Sequence, residues 1–230
     1  MQSYRIEKKI TSTSVSLDLL NEIETYLIEQ GENQKVDASR IRYDAIIYDK
    51  YGEEKIPLFN EYPRSTLPNE VERVSLEIHD YETSFNIEVS FDSKKLFSRL
   101  RVSIKGINAK ETVNGISSTI QQHVNEHKNL NYLFYGQAGF FSGFLTGMSF
   151  PALIGGLFFS GKYDVANYFV LFGIFGIGLS TLLDILKSIS PYSEFDTLKN
   201  RHRSVVRKWV LNGLAGVFIF GLLGQVIIGQ

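Results

Sequence analysis

The sequence predicts an α+β domain, with an antiparallel sheet and two helices, followed by an all-α region of three membrane-crossing helices. Three observations lead there. Charge is unevenly distributed: residues 1–128 carry 17 Lys/Arg and 21 Asp/Glu, whereas residues 129–230 carry 7 and 4. Residues 129–161, 165–183 and 209–230 contain no Asp, Glu, Lys or Arg, and a helix needs about 20 apolar residues to cross the hydrocarbon core of a bilayer. In the first part, short segments alternate apolar and polar side chains, the pattern of strands with one buried and one solvated face. The expected division is therefore a soluble domain over 1–128 and a transmembrane region over 129–230.

Within the domain, a strand precedes a helix over Leu17–Gln30. Ser16 is placed to cap that helix, Leu20, Ile23 and Leu27 share one face, and Gly31 is the expected stop. Ile41, Tyr43, Ala45 and Ile47 then alternate with Arg42 and Asp44, and Asp49–Glu53 reads as a hairpin turn into Ile56 and Leu58. Pro57, Pro63 and Pro68 bracket a loop at about 60–70. Three further alternating runs follow: Val74/Leu76/Ile78, Phe85/Ile87/Val89/Phe91 and Leu100/Val102/Ile104. A second helix is expected over 110–128, with Val113, Ile116, Ile120 and Val124 on one stripe. The order of strand, helix, about five strands and helix fits one sheet with both helices on the same face.

The uncharged runs place spans at 137–159, 165–185 and 209–229. Pro151 should kink or end the first. The loop after the second span holds Lys187, Lys199, Arg201, Arg203, Arg207 and Lys208, and positive charge favours the cytoplasmic side. That orientation puts the N-terminal domain in the cytoplasm and the C-terminus on the far side. Tyr132, Tyr135 and Trp209 fit the near interface, and Tyr163 and Tyr168 the far one. No ionisable residue lies deep in a span, with Asp184 at the end of one, which argues against proton pumps and voltage sensors. Gly139, Gly143 and Gly147 form a small-residue ridge along the first span. It suits close packing among the chain's own helices, or self-association.

Several function classes are disfavoured. The chain has no cysteine, so disulfides, thiolate metal sites and cysteine nucleophiles are excluded. The first residues, with Arg5, Lys8 and Lys9 and no apolar core, are not expected to be a signal peptide. A net charge of −1 with no dense basic face gives no support to nucleic-acid binding. No Ser/His/Asp arrangement in motif context, phosphate loop or paired-carboxylate signature occurs, so no cofactor is expected and a binding role is favoured over an enzymatic one. One motif points the other way. His123-Val124-Asn125-Glu126-His127 matches an inverted zinc-peptidase pattern, in which His123 and His127 would hold a metal with Glu194 as third ligand; interfacial polar residues are the alternative.

The segment Pro191–Asp196 and the basic run Lys199, Arg201, Arg203, Arg207 and Lys208 form the most individual stretch between the spans. They suit anionic lipid headgroups, at about 1 kcal/mol per cation near the surface, or a plain positive-inside anchor. The expected function is an integral membrane protein presenting a cytosolic binding or sensor domain, with the bilayer and an unidentified cytosolic ligand or protein as partners. An oligomeric pore or membrane-disrupting effector gated by the domain is the alternative, and a metal-dependent membrane hydrolase the third.

Overall fold

A computed structural model describes residues 2–33, 40–80, 82, 84–129, 131–135, 137–159 and 164–205, together with Trp209 and Gly213. The elements are β1 (Gln2–Lys9), β2 (Ser14–Val15), α1 (Leu17–Asn33), β3 (Arg42–Asp49), β4 (Gly52–Ile56), β5 (Val71–Asp80), β6 (Phe85–Asp92), β7 (Arg99–Gly106), α2 (Ala109–Glu126), α3 (Tyr132–Tyr135), α4 (Gln137–Phe159), α5 (Asp164–Ile189) and β8 (Glu194–Phe195). The fold is α+β. Six antiparallel strands lie in the order β1-β7-β6-β5-β3-β4.

The alternation that predicts the strands is the alternation that builds the core. Val74, Leu76 and Ile78 of β5, Ile87 and Val89 of β6, and Leu100 and Val102 of β7 point to one face. There they meet Leu20, Ile23 and Leu27 of α1 and Val113, Ile116 and Ile120 of α2 in a single hydrophobic cluster. On the solvated face, opposite charges stand across neighbouring strands. Glu88 of β6 accepts from Arg99 and Arg101 of β7, and Arg101 also pairs with Glu7 of β1. Such cross-strand pairs are the unit of sheet stabilisation. The hairpin turn forms as expected, with Asp49 Oδ1 accepting from the backbone N–H groups of Tyr51 (2.7 Å) and Gly52 (2.9 Å).

Ser16 caps α1, its hydroxyl oxygen accepting from the Leu19 N–H at 3.2 Å. Gly31 does not end that helix, which continues to Asn33. It is there because α1 approaches the sheet closely: a Cβ at residue 31 would lie 2.8 Å from Ile78 Cδ1. One buried carboxylate stands out. Glu24, 3% exposed, accepts from the Tyr43 hydroxyl at 2.7 Å and the Phe59 N–H at 3.0 Å. Burial, and then the neighbouring Glu24, pushes the Tyr43 hydroxyl pKa upward.

Among the described residues, two helices are long and apolar enough to cross a membrane, within Ser142–Phe159 and Ala166–Lys187. Only 17% and 22% of those stretches are buried, whereas a core helix of this composition would be mostly covered. The expected third span, 209–229, lies outside the described residues apart from Trp209 and Gly213. Pro151 does not end α4, which runs on to Phe159. α5 packs along it on both sides of the proline, and a neighbouring helix is what makes proline tolerable in an apolar helix. A Cβ on Gly173 would lie 2.6 Å from Leu153 Cβ, and one on Gly156 2.8 Å from the Val170 nitrogen, so glycine is what permits this approach. A polar seam also joins the pair. Ser142 donates to Asp184 at 3.0 Å, and the Thr146 and Ser180 hydroxyls lie 2.6 Å apart. α5 extends to Ile189 rather than 185, so Asp184 sits inside the helix.

Candidate functional site at the junction of domain and helices

The residues after α5 do not form a free loop. They re-enter the α+β domain and are built into it. β8 pairs in parallel with β2, Ser14 opposite Glu194 and Val15 opposite Phe195. The Glu194 N–H donates to the Thr13 carbonyl and the Asp196 N–H to the Val15 carbonyl, both at 2.8 Å. Upstream, the Tyr192 N–H donates to the Ser93 carbonyl at 2.9 Å and the Ser193 N–H to the Asp92 carbonyl at 3.3 Å. The segment is thus clamped between β2 and the end of β6. Phe195 is 1% exposed and belongs to the same hydrophobic cluster as the sheet and both domain helices.

Small hydroxyls make this close approach possible. Ser12, Thr13, Ser98, Ser190, Ser193 and Thr197 are all buried. Ser12 Oγ lies 2.6 Å from the Tyr192 carbonyl oxygen and 2.5 Å from Asn129 Oδ1, and its single proton serves one of them at a time. The Tyr192 hydroxyl donates to the Ile10 carbonyl at 2.8 Å. Ser98 Oγ receives the Asp92 N–H at 2.9 Å and stands 3.1 Å from Ser193 Oγ. Asn131 donates to the Pro191 carbonyl at 2.9 Å.

The start of the apolar helical pair is tied in at the same place. Tyr135, two residues before α4, donates its hydroxyl proton to the Ser190 carbonyl at 2.9 Å and packs edge-on against Tyr192, ring centres 5.2 Å apart. Burial raises the pKa of both tyrosines. Three chain segments, 10–15, 128–135 and 190–197, therefore meet in one hydrogen-bonded collar between the sheet and the helical pair.

Two of the expected headgroup cations face the domain. Lys199 Nζ stands 2.5 Å from Glu70 Oε1, and Arg201 makes a two-pronged contact with Asp196 at 2.6 and 2.7 Å. The Lys199 hydrogen bond holds the Glu70 carboxyl below its ordinary range, and the Arg201 hydrogen bond does the same for Asp196. Residues 198–205 are helical, capped by Thr197 through the Asn200 N–H. Arg203 is exposed on this helix, while Arg207 and Lys208 lie outside the described residues.

His123 lies in α2 and His127 follows its last residue, and the carboxylate beside both is Glu22 of α1, 3.5 Å from His123 Nδ1 and 3.9 Å from His127 Nε2. Glu194, the expected third ligand, accepts from Asn131 Nδ2 at 3.3 Å. Among the described residues no group of three His, Cys, Asp or Glu side chains is arranged to hold a metal ion. Gly143 and Gly147 are exposed on α4, with nothing within 4 Å of a Cβ at either position. Gly139 lies in the same helix, and its side-chain surroundings are outside the described residues. The glycines at the α4–α5 contact are Gly156 of α4 and Gly173 and Gly176 of α5.

A cleft of about 430 Å³ opens at the other end of β6, lined by Asp44, Glu77, His79, Asp80, Phe85 and Asn86 among others. Asn86 donates to Glu77 at 2.7 Å across it. The volume falls within the few hundred to about 1,000 Å³ typical of small-molecule sites. One strand therefore runs from this cleft to the collar.

Sequence reasoning did not find the collar. The available signal was Tyr192 and Phe195, two large apolar side chains in a polar stretch, with buried partners among Ser12, Thr13 and Ser98 that read as ordinary surface serines and threonines. No protein-family model, curated protein or solved structure matches the chain.

Proposed function

We propose that the chain is an integral membrane protein whose cytosolic binding or sensor domain is coupled rigidly to its membrane helices. The observation that carries this reading is the return of residues 190–197, whose β8 pairs with β2 in a separate two-stranded sheet and places Phe195 in the domain's core. A plain tether needs no such return. A domain that reports to the membrane does, because both ends of the helical pair are then held by one folded unit. The basic residues after the second span support the cytosolic orientation. The cleft at the distal end of β6 supplies a place for a captured ligand, and β6 itself connects that place to the clamp on Tyr192 and Ser193.

Native mass spectrometry of the full-length protein from nanodiscs tests this. The expected result is one or two copies, carrying a non-lipid adduct that is lost when Ser103→Trp fills the cleft. A ring of several copies would overturn it in favour of the second reading, an oligomeric pore. A specific feature favours that second reading: Gly143 and Gly147 present an exposed small-residue face, of the kind that lets another helix approach closely.

A further inference from the structure

The turn between β6 and β7, Ser93–Ser98, is placed where the membrane helices begin. Its backbone is fixed from within: Asp92 Oδ1 accepts from the Lys94 N–H at 2.7 Å, and the Phe97 N–H donates to the Lys94 carbonyl at 3.2 Å. It is also fixed from without. The Ser93 carbonyl holds Tyr192, Ser98 touches Ser193, and Lys95 Nζ donates to the Tyr135 carbonyl at 2.9 Å. Tyr135 lies two residues before α4. At the tip of this turn, Leu96 is 77% exposed and Phe97 50%. Two adjacent large apolar side chains on the tip of a rigid turn, flanked by two lysines, are costly to leave in water. They suit the boundary between headgroups and acyl chains, where apolar side chains sink in and lysines meet phosphates.

We infer that this turn is a membrane-inserting anchor: Leu96 and Phe97 enter the interface of the same bilayer that the helices cross, and the exposed Lys94 meets its anionic headgroups. The occupant is the lipid surface, fixed by the hydrogen bond from Lys95 to Tyr135, two residues before α4. This rests on the membrane reading above, and it moves the main lipid contact away from Lys199 and Arg201, whose charges are met by Glu70 and Asp196. The domain then has two attachments to the bilayer plane, the collar and the turn, so a tilt of the domain would pull Leu96 and Phe97 through the interface.

The test uses the full chain with its one native tryptophan removed (Trp209→Phe) and a reporter indole introduced by Phe97→Trp or, separately, Leu96→Trp. A control indole is placed by Met148→Trp on an exposed face of α4. All are reconstituted in vesicles of phosphatidylcholine and phosphatidylglycerol carrying lipids brominated at shallow or deep positions. The expected result is that the turn reporters lose most of their emission to shallow bromines and are shielded from aqueous acrylamide. That quenching should weaken in pure phosphatidylcholine or with Lys94→Glu. If the Met148→Trp probe is quenched by lipid while both turn reporters are quenched only by acrylamide, the anchor is refuted and the membrane reading stands. If no probe is quenched by lipid, both fall. Quenching that ignores the anionic lipid and Lys94→Glu would refute the headgroup contact.

Discussion

Phe195 and Tyr192 are held by different forces, and the difference sets what each substitution costs. Phe195 is buried in the domain's hydrophobic cluster, so Phe195→Ala leaves a cavity and should cost about 3–5 kcal/mol. Tyr192→Phe removes one hydrogen bond to the Ile10 carbonyl but keeps the ring against Tyr135, and should cost about 1 kcal/mol. Urea titration of the full-length protein, followed by circular dichroism of the domain, measures both. An unchanged midpoint for Phe195→Ala would mean that the segment is not part of the core. At this scale the sequence was legible where a residue's role is local: Ser16 caps, Leu20 and Ile23 face inward, and Asp49 closes its turn. It was not legible where the role depends on a distant partner. Nothing near Ser12 in the chain says that its hydroxyl meets a carbonyl 180 residues away, and nothing near Gly31 says that Ile78 fills the space its missing Cβ leaves.

Elements with a strong repeat were predicted from their repeat. β5, β6 and β7 alternate cleanly because one face is buried and the other wet, and α2 shows the 3.6-residue stripe. α4 and α5 are visible because their uncharged lengths exceed anything the domain contains. β2 and β8 have two residues each, which is too short for any periodicity, and they pair in parallel across nearly the whole chain. Their pairing is held at its end by charge. Asp196 and Glu70 have carboxyl pKa values lowered by Arg201 and Lys199. A carboxyl whose folded pKa lies below its unfolded value adds stability above the unfolded value and loses it as pH falls through the folded one. The contribution should therefore be intact at neutral pH and start to fade as pH drops below the ordinary values of 4.5 for Glu70 and 3.8 for Asp196. Limited proteolysis with pepsin across that range should show cleavage within 196–205 rising as pH falls. Asp196→Asn should raise cleavage at the upper end of the range and flatten the profile. Because both acids are partly exposed, salt should weaken the effect.

At the scale of the molecule, charge separates the chain into two parts, a charged α+β body and an apolar helical pair, and the collar joins them. The sequence places the boundary near residue 128, between the end of α2 at Glu126 and the start of α3 at Tyr132. The fold adds a second crossing at 190–197, so that the domain grips the helices at the start of α4 and at the end of α5. Under the proposed function, any signal between the domain and the helices runs through this double attachment. Hydrogen exchange at the backbone amides of Tyr192, Glu194 and Asp196, in the full-length protein embedded in nanodiscs, tests it most directly. Their N–H groups donate to the Ser93, Thr13 and Val15 carbonyls, and exchange requires those bonds to open. Protection should be comparable to that of β6 and lost together with it. Exchange at the rate of an open loop, with β6 still protected, would contradict it.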